Sequence, residues 1–231
     1  MRITIERMPL FIASAAFFVV VSVLHLIACG LHRDGLRKPT KVFLVPLIAC
    51  MHISICGFRY PLVLAGLFCG WLGDIFLIPK DKKLTFYLGA LFFMIGHGFY
   101  IANAFSLGLP QQVLSRCGRV SLLIAMLAVV AVGFAALWFM RKRISREMIR
   151  LFAVYMLALL TMAGTFVYSS VAVGLRAPAF MLAIGAVLFA LSDFLLGAGI
   201  TRAFRIRNNR LLVMLTYIFA QLGIAVGTAL L

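Results

Sequence analysis

The chain has 231 residues, 65% of them hydrophobic, and a mean hydropathy of +1.13. A soluble globular chain is about 45–50% apolar, so the composition excludes a water-soluble fold and points to a polytopic helical membrane protein. The 22 Lys and Arg residues far outnumber the 6 acids, yet they sit in short connectors between apolar runs, a positive-inside pattern that argues against nucleic acid as a partner.

In chain order the apolar runs predict an all-α bundle of eight transmembrane helices in a single integral membrane domain, residues 1–231. The first span, Pro9–Gly30, is longer than the apolar part of a signal peptide and lacks a small-residue cleavage site, so it reads as a retained helix. After the connector LHRDGLRKPTK comes a short span, Val42–Cys56, which carries Pro46. The third span is Pro61–Pro79, and the fourth, Leu84–Leu107, follows the connector KDKK. Val120–Met140 is the fifth, Leu151–Val173 the sixth, Pro178–Ile200 the seventh and Leu211–Leu231 the eighth. The connectors after spans one, three, five and seven hold 16 of the 22 Lys and Arg residues. That excess puts these connectors in the cytoplasm and both termini outside. The Arg-rich stretches 141–150 and 202–210 read as topology signals. A compact chain of this kind suits a bacterial inner membrane.

Two acids break the apolar pattern. Glu6, Asp34, Asp81 and Glu147 lie in charged connectors, whereas Asp74 ends the stretch GLFCGWLGD and Asp193 ends GAVLFALSD. An ionisable residue inside a membrane segment is costly and marks a functional site by default. Gly66 and Gly185, Leu72 and Leu191, and Asp74 and Asp193 all share an offset of 119 residues. This suggests a parallel repeat of four plus four helices.

At 1.5 Å of rise per residue, Asp74 comes out about 7–8 Å and Asp193 about 10 Å below the cytoplasmic ends of their spans. His25, Tyr155 and Tyr217 fall at about 7–10 Å, while His52, His97 and Gln221 lie about 15–20 Å deep. Tyr100 is deeper still. On this count His97, flanked by Gly96 and Gly98, belongs to helix packing rather than to the acid layer. Burial disfavours a charged carboxyl, and two close carboxyls disfavour joint ionisation. One acid can then hold a proton while the other stays ionised, which suits acetal-type hydrolysis and proton-coupled transport alike. Lys38, ahead of the second span, is on the correct side to meet a lipid phosphate. The five cysteines include no CxxC, and the four histidines form no HExxH; no GxSxG occurs either. No disulfide framework, metal or other cofactor is therefore expected.

Lys38–Pro39 opening one helix, Gly73–Asp74 closing the next, Gly89, Gly96, His97 and Tyr100 on the fourth, Ser192–Asp193 on the seventh, and Tyr217 with Gln221 on the last form an ordered set. This set, spanning about Lys38 to Gln221, resembles the YhhN-like lysoplasmalogenase family. The resemblance implies an integral membrane hydrolase that splits the vinyl ether bond of a lysophospholipid, giving a fatty aldehyde and a glycerophospho-headgroup. It maps the family's catalytic acids onto Asp74 and Asp193. Lys38, Tyr155, Tyr217, Ser192, His97, Tyr100, Gln221 and His25 are the candidate substrate-binding or supporting residues. Which Asp acts as the acid stays open at this point, as does oligomeric state. The alternatives are a proton-coupled transporter of lipids or small molecules, a non-catalytic membrane scaffold, and a zinc-dependent lipid amidase, the last disfavoured by the scattered histidines.

Overall fold

Membrane helices form where apolar runs must satisfy their own backbone hydrogen bonds. A computed structural model describes residues 5–79, 83–108, 120, 124, 127–128, 131–135, 138, 141, 145–172, 176–201 and 206–231. It is all-helical, with no strand among the described residues. After a short turn of 3-10 helix at Ile5–Arg7 come α1 (Met8–Gly30), α2 (Asp34–Cys56), α3 (Pro61–Phe76) and α4 (Lys83–Ser106). They are followed by α5 (Arg146–Ala172), α6 (Ala177–Ile200) and α7 (Asn209–Ala229). All but α3 are long and apolar enough to cross a membrane, six candidate spans among the described residues. The chain is an integral membrane protein by this measure. The expected span Val120–Met140 lies mostly outside the described residues. The eight-span count and the four-plus-four repeat are not established by this architecture.

Three boundaries differ most from expectation, and one of them is the start of the sixth expected span, which lies at Arg146 rather than Leu151. The second helix begins at Asp34, so the connector Asp34–Lys41 is helical and the span has 23 residues. Lys and Arg at a helix end keep their charges at the headgroup level while their backbone joins the helix. The third helix, by contrast, stops at Phe76 with 16 residues, short of the expected Pro79.

Neighbours in sequence are neighbours in space. α3 packs on α4 and α6 on α7, while α7 also touches α1, α2 and α3 and so closes the bundle. Leu44 and Ile48 of α2, Leu67 of α3, Phe166 of α5, Phe189 of α6 and Ile224 of α7 are fully buried. Large apolar side chains such as Phe17 and Val20 of α1 point outward, as expected of a surface meant for lipid.

Small residues bring the acid-bearing helices close to their partners. A Cβ on Gly73 would sit 3.2 Å from the Gly89 carbonyl, and one on Gly185 would sit 2.9 Å from the carbonyl of Ala220. Backbone cannot yield as a side chain can, so these two crossings depend on glycine. A different device fixes α2 against α3. Pro46 lacks the N–H that would donate to the Val42 carbonyl in the helix ladder. The Trp71 indole N–H of α3 donates to that carbonyl at 2.8 Å. The bond lies one residue from Lys41 and three from Asp74.

Candidate active site

The first acid sits at the junction of α2, α3 and α7. Asp74 is buried, its side chain 4% exposed, and its Oδ1 lies 3.1 Å from Nζ of Lys41. Tyr217 Oη donates to Asp74 Oδ2 at 2.7 Å. The chain of contacts continues inward: Gln221 Nε2 donates to Tyr217 Oη at 3.1 Å, and Tyr100 Oη donates to Gln221 Oε1 at 2.8 Å. Tyr217 and Gln221 are one helical turn apart on α7 and present the same face. A buried carboxylate needs a counter-charge or hydrogen-bond donors; Asp74 has the Lys41 ammonium and the Tyr217 hydroxyl.

The second acid faces α4 and α5 instead. Tyr155 Oη donates to Asp193 Oδ2 at 2.5 Å. His97 Nε2 lies 3.4 Å from Tyr155 Oη and 3.9 Å from Asp193 Oδ2. His97 Nδ1 is buried with no hydrogen-bond partner among the described residues. No Lys or Arg contact to Asp193 occurs among the described residues.

Aromatic rings stand between the two polar chains. Phe189 packs edge-on against His97 at 4.9 Å and against Tyr217 at 5.7 Å, and Phe93 meets both Phe189 and Tyr217. Both acids line one cavity of about 1110 Å³. Its walls are mostly apolar, including Phe86, Phe93, Phe152 and Met156, while Arg37 and Arg210 stand at the connector end. A pocket of this make-up, apolar with a few convergent polar groups, is typical of small-molecule and cofactor sites. Among the described residues no group of three or more His, Cys, Asp or Glu side chains is arranged to hold a metal ion.

Of the residues expected from the sequence, Asp74, Asp193, Tyr155, Tyr217 and Ser192 all line this cavity. Ser192 is also an anchor, since its Oγ donates to the Val213 carbonyl at 3.0 Å and ties α6 to α7. Tyr100 and Gln221 support Tyr217 from behind. His25 is buried on α1, with Nδ1 2.8 Å from Thr40 Oγ1 and Nε2 3.5 Å from Cys29 Sγ; it packs α1 onto α2 and does not line the cavity.

Lys38 is exposed and stands outside the cavity, whereas Lys41, three residues on, is buried against Asp74. The sequence reading missed Lys41 because it assigned the residue to a connector. Had the helix been started at Asp34, Lys41 would have stood out as a cation inside a span. His97 was placed too deep: it reaches Asp193, because counting from helix ends assumes that all ends share one plane. Its flanking glycines divide the work. A Cβ on Gly96 would lie 3.1 Å from the Gly66 carbonyl, while Gly98 has open space. Phe93, Phe189, Arg37 and Arg210 carried no signal that set them apart from the other Phe and Arg residues.

A sequence model described as the YhhN family matches residues 36–228. No curated protein and no solved structure matches the chain significantly.

Proposed function

The chain belongs to the YhhN family, and from that premise we propose that it is a membrane hydrolase acting on the vinyl ether bond of lysoplasmalogen-type lysolipids. The observation that carries this reading is the pair of aspartates facing one apolar cavity, each with different partners. Family membership is consistent with the activity, and the chemistry needs what the two acids can supply.

Vinyl ether hydrolysis begins with a proton added to the β-carbon, which leaves an oxocarbenium ion. Asp193, which has no Lys or Arg contact among the described residues, is the proton donor in our reading. Asp74, held by the Lys41 ammonium and the Tyr217 hydroxyl, is the fixed negative charge opposing the cation. Water then adds to the oxocarbenium carbon and yields its proton to Asp193, now a base. The resulting hemiacetal breaks its C–O bond to glycerol; the glycerol oxygen takes the hydroxyl proton, and a fatty aldehyde forms. The sum is one water consumed and no net proton change. Tyr155, bonded to Asp193, positions that acid. The apolar walls accept the alkenyl chain, and the positive-inside pattern of the basic connectors supports a reaction in the cytoplasmic leaflet.

The test is aldehyde release from an alkenyl lysophospholipid by purified protein in detergent or vesicles. Asp74→Asn and Asp193→Asn should each abolish release in protein that still folds. Full activity in both would overturn the mechanism. Proton-coupled uptake of the lipid with no aldehyde formed would favour the carrier, the second use of the same acid pair.

A further inference from the structure

The end of the cavity nearest the basic connectors has groups that the acid chemistry does not use. Arg37 lies in the first turns of α2 and Arg210 in the first turn of α7. Both line the cavity that holds Asp74 and Asp193, together with Lys41. Arg37 Nε is 2.9 Å and Arg210 Nη1 3.7 Å from the same oxygen, Oδ1 of Asp34. One carboxylate therefore stands between two guanidinium groups, and with Lys41 paired to Asp74 the mouth keeps an excess positive charge. The Arg37 side chain is only 11% exposed. Its Nη2 is buried with no hydrogen-bond partner among the described residues. A buried guanidinium N–H without an acceptor is unfavourable and would be relieved by an oxygen ligand.

Two further features favour an anion here. α2 and α7 both begin at this end, and neither has a side-chain hydrogen bond capping its N-terminus. Their free N–H groups add positive potential. Spacing also matters. Arg37 and Lys41 are four residues apart on one face of α2, a separation of about 6 Å along the axis. That is roughly the reach of the glycerol unit that separates a lysolipid's phosphate from its ether oxygen.

We propose that Arg37 and Arg210 form a subsite for the phosphodiester of the substrate's headgroup, so that the phosphate registers the vinyl ether against Asp74 and Asp193. This inference rests on the hydrolase reading of the cavity and adds to it the two residues that would hold the substrate's phosphate.

The experiment compares wild type, Arg37→Ala, Arg37→Lys and Arg210→Ala on two substrates, an alkenyl lysophospholipid and an alkenylglycerol without phosphate. A second readout is thermal stabilisation by a saturated alkyl lysophospholipid, which cannot be hydrolysed, and by inorganic phosphate. The alanine variants should lose at least about tenfold more kcat/KM on the phospholipid than on the alkenylglycerol, mainly through KM. Arg37→Lys should recover part of that loss. Equal losses on the two substrates, or none on either, would overturn the subsite. If wild type cleaves neither substrate, the reaction proposed above fails, and the binding readout still decides the subsite. Weaker stabilisation of the alanine variants than of wild type by the alkyl lysophospholipid supports it; equal stabilisation refutes it. Stabilisation of wild type by inorganic phosphate as strong as by the lysolipid would identify a free-anion site and refute the headgroup assignment.

Discussion

Asp74 and Asp193 hold equivalent places in two similar stretches of sequence, but their surroundings diverge. Asp74 is met by a cation and a tyrosine, with Gln221 and Tyr100 extending the chain behind it. Asp193 is met by a tyrosine and a histidine. The same residue type thus becomes a neutralised, well-anchored charge on one side and, on the other, a carboxyl with no Lys or Arg partner among the described residues. For two acids to take opposite roles in proton transfer, their environments must differ in this way. An exact structural repeat would have made the two sites alike.

The comparison can be broken most directly at Asp193. Asp193→Asn keeps the shape and removes the transferable proton, so aldehyde release should fall by about 10²–10⁴-fold, the usual contribution of general acid–base catalysis. Thermal stability measured in detergent should change little. If activity survives in this variant, Asp193 is not the proton donor.

The next largest effect concerns stability rather than rate. Lys41→Met leaves the Asp74 charge buried without its partner, which should cost about 3–5 kcal/mol. Adding Asp74→Asn to Lys41→Met should restore most of that loss in chemical unfolding. Equal stability of the single and double variants would show that the ion pair is not what holds this site.

Tyrosine replacements sharpen the contrast further. Tyr217→Phe removes a hydrogen bond to the charged Asp74, about 1.5–3 kcal/mol, and Tyr155→Phe removes one to the protonated Asp193. Tyr155→Phe should act chiefly on kcat, because it loosens the proton donor. Tyr217→Phe should also lower stability, because it leaves Gln221 Nε2 without its acceptor. Steady-state kinetics alongside thermal unfolding separates the two. The smallest effect is expected for Trp71→Phe, which deletes a single neutral hydrogen bond and should cost about 0.5–1.5 kcal/mol.

The membrane class and most spans were legible in the sequence because long apolar runs have few other uses. The two acids were legible for the converse reason, since a carboxyl in such a run is expensive. Tyr155 was found by its depth, and Tyr217 both by its depth and by the ordered set that carries the family resemblance. Lys41 was hidden because the charge pattern that sets orientation also marks residues as connector, although a helix can begin several residues before its apolar part. Arg210 was hidden in the same way, counted as a topology signal while its side chain lines the cavity. His97 was misplaced because linear depth ignores how far helices are shifted along one another. Phe93 and Phe189 are two of 21 phenylalanines, and nothing local distinguishes a ring that separates two acids from one that faces lipid.

The bond from Trp71 to the Val42 carbonyl has a consequence for how this protein can vary. That carbonyl has no in-helix donor at position 46, because Pro46 lacks an N–H. Replacing Pro46 with alanine supplies an in-helix donor, and the indole then competes with the backbone for one acceptor. The two positions are therefore epistatic: loss of Trp71 should be felt with proline at 46 and be nearly silent with alanine there. In a lineage of such chains, a change at either position would relax selection on the other, and the register of Lys41 against Asp74 would be inherited through the pair rather than through either residue alone.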